Sequence, residues 1–335
     1  MSHVILPEGY HSTLTLYETQ EAIELIKKTF QSNLKRALNL KRVSAPLFVE
    51  GASGLNDNLN GVERPVEFDI LETGEMTQVV HSLAKWKRLA LKRYGFPQGE
   101  GLYTDMNAIR RDEELDNLHS VYVDQWDWEK VIPQEDRTLE TLKDAMSRIV
   151  TAICVTLDMI QWSYPGIKTR LKREISFVTT QELEDLYPTL TPKQREDVYL
   201  REHRTAGILQ IGKILRSGEK HDGRAPDYDD WELNGDILFW SDVLNRAVEI
   251  SSMGIRVSPE SLDRQLTLAG CDDRRELPFH KALLSGELPV CMGGGIGQSR
   301  MCMLLLGKAH IGEVQSSYWD PATREACEKA GIVLL

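Results

Sequence analysis

A glycine-rich segment near the C-terminus, residues 291–307 (CMGGGIGQSRMCMLLLG), constrains the fold more than any other feature. A dinucleotide-binding fingerprint that starts at Gly293 or Gly295 needs a glycine at position 298 or 300, where the chain has Gln298 and Arg300. A P-loop from Gly293 would need Gly-Lys-Ser/Thr at 298–300, which is absent. The segment therefore predicts a tight strand-to-helix turn. Two interpretations of its glycines are open. Either they serve only to permit close packing, or they expose the backbone to a ligand, in which case Arg300 would pair with a phosphate or stack on a base.

The remaining patterns predict an α+β fold with a mostly antiparallel sheet and interspersed helices. Apolar side chains recur every three or four positions over residues 17–39, which predicts a long amphipathic helix. Residues 41–50 read as a strand that Pro46 limits to an edge or an interface. Further strands are predicted at the start of 76–95, in a hairpin formed by 101–114 and 119–131, and in 235–244 and 246–257. Further helices are predicted at the end of 76–95 and in 138–174, 191–205 and 259–285. The βαβ alternation of a Rossmann domain is missing.

Composition narrows the functional classes. The 335 residues carry 51 Asp and Glu against 40 Lys and Arg, a net charge of −11, and this acidic balance disfavours a nucleic-acid-binding protein. Five cysteines without C-x-x-C spacing indicate reduced thiols, not disulfides or a zinc site. Neither a signal peptide nor a membrane span is recognisable, so we expect a cytoplasmic protein. Without a linker-like segment, residues 1–335 are predicted to form a single domain.

Two strand patterns place polar side chains where a ligand could use them. On the strand of 119–131, Val123, Gln125 and Asp127 share one face, so two polar groups form a notch in a buried sheet and need partners. Arg110 lies at the end of the preceding strand beside Arg111, where an arginine pair is more often a solvated turn.

Carboxylates supply two more candidate sites. Asp236 and Glu249 lie on neighbouring predicted strands, where they could hold Mg²⁺ together with substrate phosphates or simply be strand-edge acids. The segment 218–231 (GEKHDGRAPDYDDW) lacks the spacing of an EF-hand and is either a solvated acidic loop or a recognition site for an ammonium group. Its acids are Asp222, Asp227, Asp229 and Asp230.

In chain order, several of these features resemble the catalytic core of the class II aminoacyl-tRNA synthetases. The helix of 17–39 with the Pro46 strand resembles motif 1, which forms the dimer interface in that superfamily. Arg110 and the loop up to His119 resemble motif 2, and GGGIGQSR, ending in Arg300, resembles motif 3. The resemblance implies an antiparallel sheet flanked by helices.

A narrower resemblance covers residues from about 15 to about 320. The chain is similar to the ammonia-dependent asparagine synthetases (aspartate–ammonia ligases) in the segments VVHSLAKWKR, GEGLYTDM, LHSVYVDQWDWE, RAPDYDDW, NGDIL, ISSMGIRV and ELPVCMGGGIGQSR. This resemblance implies that ATP activates the side-chain carboxylate of L-aspartate as β-aspartyl-AMP, which ammonia then converts to asparagine. It also implies Mg²⁺ as a cofactor and a homodimer formed through the N-terminal helix and the Pro46 strand.

The same resemblance assigns roles to individual residues. The implied catalytic residues are Asp57, Arg110 and Arg300. The implied aspartate-binding residues are Ser82, Lys87, Gln125, Asp127, Asp229, Ser251 and Arg256. The implied ATP-binding residues are Arg110, His119, Asp236, Glu249, Ser252, Gly295 and Arg300, with Asp236 and Glu249 as the metal ligands.

Two rival functions belong to other classes. A tRNA synthetase would need a tRNA-binding domain, but no appended OB-fold and no basic stripe is recognisable, so we expect neither a nucleic-acid nor a membrane partner. A catalytically inactive regulatory paralogue is disfavoured by the presence of Arg110, Glu249 and Arg300.

Overall fold

The computed structural model describes residues 4–59 and 63–335. Its α-helices are α1 (Leu16–Leu38), α2 (Ala84–Tyr94), α3 (Leu139–Ser163), α4 (Thr180–Leu186), α5 (Pro192–His203), α6 (Pro259–Leu268), α7 (Pro278–Leu284), α8 (Gln298–Leu305) and α9 (Pro321–Lys329). Its strands are β1 (Leu40–Arg42), β2 (Phe48–Glu50), β3 (Glu67–Asp69), β4 (Met76–Val79), β5 (Gly101–Ile109), β6 (Tyr122–Val131), β7 (Ser176–Thr179), β8 (Thr205–Leu209), β9 (Asp229–Ser241), β10 (Arg246–Arg256) and β11 (Cys291–Gly297).

A large sheet organises the molecule. Its strands follow the order β1-β5-β6-β11-β10-β9-β8-β7, with antiparallel pairing throughout the centre and parallel pairing only between β1 and β5 and between β7 and β8. The predicted α+β class and mostly antiparallel sheet are therefore confirmed. A small sheet, β2-β4-β3, lies beside it.

Helix α1 forms as its sequence pattern predicts. Thr15 caps its N-terminus in a reciprocal capping box with Glu18, and Asn39 ends it in the left-handed conformation at φ 59°. Its buried stripe, which includes Ile26, Phe30 and Leu34, packs with α3 against the sheet. In the part of the chain that the structure describes, no helix has both the length and the apolar character needed to cross a membrane.

The alternation of side chains on β6 separates the core from the opposite face. Trp126 and Trp128 are fully buried in the main hydrophobic cluster with the α1 residues. Gln125 and Asp127 point the other way, as predicted, because neighbouring side chains of a strand face opposite sides.

Some predicted elements have different limits. Residues 41–50 are not one strand, because β1 joins the large sheet while β2, beyond Pro46, joins the small one. The helix predicted over 138–174 ends at Ser163, and the helix predicted over 259–285 is divided into α6 and α7 around a 3₁₀ turn. The other strand and helix predictions, including the turn from β11 into α8, are confirmed.

Candidate active site

A cavity of about 470 Å³ lies on the sheet face opposite α1 and α3. It is lined by side chains and backbone of β6, β9, β10 and β11, together with residues from α2 and the loops around 57, 110–120 and 222–229. The residues singled out from the sequence that line it are Asp57, Ser82, Lys87, Arg110, His119, Gln125, Asp127, Asp229, Asp236, Glu249, Ser252, Arg256, Gly295 and Arg300.

Ser251 is the exception among the predicted site residues. The pairing of β10 with β9 shifts between Glu249, opposite Leu238, and Ser251, opposite Ile237. This β-bulge inserts one extra residue, so Glu249 and Ser252 both face the cavity although they are three positions apart. Ser251 is buried outside the cavity lining, and its Oγ has no hydrogen-bond partner among the residues that the structure describes. The bulge thus reverses the alternation and leaves Ser251 outside the cavity lining, and its contact with aspartate stays a prediction.

One end of the cavity, which we call the carboxylate end, is built around Arg256. Its guanidinium donates from Nε to Glu129 Oε1 at 2.8 Å, from Nη2 to Glu129 Oε2 at 2.7 Å, and from Nη1 to Asp229. All three side chains are buried. Burial opposes the charge on Glu129, yet Arg256 holds the pKa of Glu129 below its ordinary value, whereas for Asp229 burial prevails and raises the pKa.

Lys87 from α2 continues this network. Its Nζ lies 3.0 Å from Asp127 Oδ2 and donates to the backbone oxygen of Gly294, also at 3.0 Å. The other carboxylate oxygen of Asp127, Oδ1, is buried without a hydrogen-bond partner among the described residues. A buried acceptor of this kind needs a donor, and a bound ammonium group would be one.

The glycines of β11 make room for these side chains. A Cβ on Gly293 would come within 2.1 Å of Glu129 Oε2 and 2.6 Å of Arg256 Nη2. A Cβ on Gly295 would come within 2.4 Å of Gln125 Oε1 and 2.9 Å of Asp127 Oδ1. The close approach of these side chains to the β11 backbone therefore explains both glycines. Gly295, which is predicted to contact ATP, leaves the space that the polar side chains of β6 occupy.

Asp57 lies at the side of the cavity, buried and held in place. Its Oδ2 accepts a hydrogen bond from Ser82 Oγ, and its Oδ1 accepts one from the Leu59 backbone N–H, each at 2.8 Å. Tyr228, which also lines the cavity, has a raised pKa because of burial and the nearby Asp57 charge. Asp57 is thus fixed by short bonds with its carboxylate toward the cavity.

The opposite end, which we call the arginine end, presents cations with few protein partners. Arg110 follows β5, forms no ion pair within residues 4–59 and 63–335, and has a buried Nε without a partner. Arg300, in the first turn of α8, donates from Nη1 to the backbone oxygen of Glu249 at 3.0 Å. His119 Nδ1 lies 2.8 Å from Asp116 Oδ1. Guanidinium groups with free donors suit phosphate oxygens.

Asp236 and Glu249 face the cavity from β9 and β10, as the metal-site prediction requires. Burial raises the pKa of Asp236 to about 7, with the Glu249 charge adding to this rise and Arg224 opposing it. Two hard carboxylates that share a cavity fit Mg²⁺. No group of three or more potential metal ligands occurs among the described residues, so phosphates or water would have to complete the coordination.

Sequence reasoning missed Arg224 and Glu129. Arg224 bridges Ser252 Oγ at 2.5 Å and Asp236 Oδ1 at 2.6 Å, and its position in the otherwise acidic RAPDYDDW segment was the available signal. Glu129 continues the cavity face of β6 two residues beyond Asp127, and the same alternation could have found it.

The acidic segment 218–231 is solvated only in its first part, where Asp222 is exposed. Asp227, Asp229 and Asp230 are buried, and Asp227 Oδ2 alone contacts two cationic groups and one imidazole. The pairs are Asp227 with Lys85, Arg274 and His280, Asp230 with Arg137, Asp229 with Arg256, and Asp222 with Lys193. Of the two interpretations, ammonium recognition stays a prediction, and only Asp222 and Asp229 of these acids line the cavity.

Comparison with known proteins agrees with this geometry. The family model described as aspartate-ammonia ligase matches residues 17–331, which is most of the chain.

The chain belongs to the aspartate–ammonia ligase family.

Its similarity to members of this family extends from end to end. The chain is 60% identical over 334 residues to the aspartate–ammonia ligase of Lactobacillus johnsonii, with 99% of each sequence covered. It is also 60% identical over 333 residues to that of Clostridium tetani, covering 99% of this chain and 98% of the relative.

Solved structures confirm the fold predicted from the three motifs. The asparaginyl-tRNA synthetase of Pyrococcus horikoshii, in complex with asparaginyl-adenylate, superposes with a TM-score of 0.64 at 15% identity, over 89% of this chain and 68% of the synthetase. The aspartyl-tRNA synthetase of Entamoeba histolytica gives a TM-score of 0.61 at 16% identity, over 91% of this chain and 59% of the synthetase. The fold is that of the class II aminoacyl-tRNA synthetases.

Proposed function

We propose that this chain is a ligase that joins ammonia to L-aspartate in an ATP-dependent reaction through β-aspartyl-AMP, giving L-asparagine, AMP and pyrophosphate. The observation that carries the proposal is one cavity with two different ends. The carboxylate end combines paired cations with Asp127, whose Oδ1 is a free acceptor among the described residues, and this suits an amino acid, while the arginine end offers guanidinium groups to a triphosphate. Membership of the aspartate–ammonia ligase family fits both substrates.

Aspartate binding is assigned to the carboxylate end. Asp127, whose Oδ1 has no hydrogen-bond partner in the described part of the chain, would accept a hydrogen bond from the α-ammonium group, with Gln125 and Asp229 beside it. Lys87 and Arg256 are the cations for the carboxylates of the substrate, and their own acidic partners hold them in position. Ser82 adds a small hydroxyl at the edge of this site.

In the first step, an oxygen of the aspartate side-chain carboxylate attacks the α-phosphorus of ATP, and the bond to pyrophosphate breaks. Two anions approach each other, so fixed cations must stabilise the transition state. Arg110 is assigned to the α-phosphate and the attacking carboxylate, and Arg300 to the adenine or the terminal phosphates. His119, Ser252 and Gly295 complete the proposed nucleotide contacts.

In the second step, ammonia attacks the acyl carbon, a C–N bond forms, and the C–O bond to AMP breaks. Ammonium must first lose a proton, because its nitrogen has no free electron pair. Asp57 is the proposed acceptor of that proton, since its carboxylate is oriented by Ser82 and the Leu59 N–H at the cavity wall.

Asp236 and Glu249 are the residues that would hold Mg²⁺. When bound, the metal would offset negative charge on the phosphate groups. The reaction as proposed uses ATP and Mg²⁺ and needs no nucleic acid.

We further propose that residues 1–335 act as one catalytic domain in a cytoplasmic homodimer. Exposed apolar side chains on α1 and next to Pro46 support a subunit interface there: Leu16, Tyr17, Leu47 and Phe48 are each more than a third exposed. Five unpaired cysteines suit a reducing compartment.

The test is to incubate the protein with aspartate, ATP, Mg²⁺ and ammonium in the absence of tRNA. We expect asparagine, AMP and pyrophosphate in equal amounts, and no asparagine when glutamine replaces ammonium. AMP release that depends on tRNA, or formation of ADP in place of AMP, would contradict the proposal.

A further inference from the structure

Arg224 occupies the place where the metal site was expected. Its Nη2 lies 2.6 Å from Asp236 Oδ1, and its Nη1 donates to Ser252 Oγ at 2.5 Å. Its side chain is 10% exposed, and its Nε is buried without a hydrogen-bond partner in the described part of the chain. Arg224 therefore holds Asp236 tightly while leaving one of its own donors unused.

The charged neighbours of this site extend beyond Arg224 and Asp236. Glu249 lies near enough to act on the charges of both Arg224 and Lys193, which itself pairs with Asp222. The two carboxylates of the expected metal site thus already have two cations for neighbours.

A divalent cation that binds Asp236 through Oδ1 must compete with the guanidinium, because Arg224 Nη2 already contacts that oxygen. We propose that Arg224 is an exchangeable counter-ion of Asp236: a divalent metal displaces it from the carboxylate, and the displaced guanidinium then pairs with phosphate oxygens of the nucleotide. The inference rests on the proposed use of ATP with a divalent metal at this end of the cavity. This exchange makes metal binding weak in the absence of nucleotide. Metal binding is stronger with nucleotide, because a phosphate group then replaces Asp236 as the partner of Arg224.

The first test measures Mn²⁺ binding to the full chain without nucleotide, from the electron paramagnetic resonance signal of free Mn²⁺. Arg224→Met should bind Mn²⁺ about tenfold more tightly than the unmodified chain or better, because a charged hydrogen-bonded competitor is removed. Adding Asp236→Asn to Arg224→Met should abolish the gain. The matched control is Arg216→Met, which makes the same charge change at an arginine paired with Asp185 outside the cavity, and it should leave the affinity unchanged.

Equal or weaker Mn²⁺ binding by Arg224→Met would overturn the proposal, as would an equal gain in Arg216→Met. Should the Met variant fail to fold by circular dichroism, Arg224→Lys serves in its place. It keeps a single charge without the two-pronged contact, so we expect a smaller gain, and no gain would count against the proposal.

The second test addresses the phosphate partner, with pyrophosphate as the probe at saturating Mn²⁺ in a calorimetric titration. Arg224→Met should bind pyrophosphate about tenfold more weakly than the unmodified chain, having lost a charge-assisted contact. An unchanged affinity of Arg224→Met for pyrophosphate would overturn the claim that the displaced guanidinium pairs with phosphate. Neither test uses aspartate, ammonia or turnover, so failure to form asparagine would refute the proposed function and leave these results interpretable.

Discussion

The two ends of the cavity differ in whether their arginine and lysine side chains form ion pairs with the protein. At the carboxylate end, Arg256 and Lys87 are buried and paired with Glu129, Asp229 and Asp127. At the arginine end, Arg110 has no ion pair among the described residues, and the Nη1 of Arg300 donates to a backbone oxygen. The carboxylate end is therefore organised by the protein itself, whereas Arg110 and Arg300 at the arginine end, unlike the ion-paired Arg224, have donors left for a ligand. Changes at the first should therefore affect stability, and changes at the second should affect turnover.

The largest stability loss is expected for Arg256→Met. It would leave Glu129 and Asp229 buried without their counter-ion, at a cost of about 3–5 kcal/mol in the free energy of unfolding. Urea denaturation measures this loss. The control is Arg148→Met, at an exposed pair with Asp144, which should change stability little. Similar losses in both variants would mean that the carboxylate end is not specially organised.

Arg110→Ala should have the reverse effect. We expect turnover to fall about 10²-fold or more, because a cation that stabilises the transition state is lost, while the free energy of unfolding stays near that of the unmodified chain. Aspartate-dependent exchange of pyrophosphate into ATP measures the first step directly. Its exposed neighbour supplies the control, Arg111→Ala, which lies outside the cavity lining and should retain activity. Near-normal exchange by Arg110→Ala would rule out its assigned role.

Paired glycine substitutions in β11 compare the two ends within one strand. Gly293→Ala forces a Cβ against Glu129 and Arg256, so we expect a loss of about 1–3 kcal/mol in stability and a higher KM for aspartate. In Gly297→Ala the added Cβ would lie 3.2 Å from the Arg300 Cβ and 3.8 Å from the Ile250 backbone oxygen, so this change should be milder and should affect the KM for ATP. Steady-state kinetics with each substrate varied, together with denaturation, distinguish the two. A change in the same KM in both variants would contradict the assignment of aspartate and ATP to different ends of the cavity.

The smallest effect concerns pH and a residue outside both ends. Burial lowers the pKa of His310 from 6.5 to about 4, with Asp116 opposing the change. The folded chain then binds this proton less readily than the unfolded chain, so stability is lost as pH falls from about 6.5 toward 4. Between pH 7.5 and pH 6.0 the loss should be about 1 kcal/mol.

His310→Asn is the matched variant for this effect, because its side-chain oxygen can still accept the Gly312 N–H that His310 Nδ1 accepts now. Denaturation curves at both pH values should show a smaller pH-dependent loss in the variant. If the two proteins lose the same stability, His310 is not the group responsible.

Much of the cavity could be predicted from sequence because its strands keep a regular alternation. On β6, one period-two pattern places Trp126 and Trp128 in the core and Gln125 and Asp127 in the cavity. The alternation does not bring Ser251 into the cavity lining, because the β-bulge of β10 interrupts the same rule. A bulge depends on how two strands pair, and one strand's sequence does not reveal it.

The burial of the acidic segment illustrates a second limit. Asp227 is buried because Lys85 of α2, His280 of α7 and Arg274 reach it from distant parts of the chain. Local composition suggests a solvated loop, since isolated aspartates are rarely buried. Only the tertiary arrangement supplies the counter-charges, and the same is true of Arg224 between Asp236 and Ser252.

The central claim is that the side-chain carboxylate of aspartate attacks the α-phosphorus of ATP. Aspartate labelled with ¹⁸O in both oxygens of that carboxylate tests it most directly, by mass spectrometry of the products formed with ammonium. We expect one ¹⁸O in AMP and one in asparagine, because the C–O bond breaks when ammonia attacks the acyl carbon. Unlabelled AMP, or label in pyrophosphate or inorganic phosphate, would contradict it.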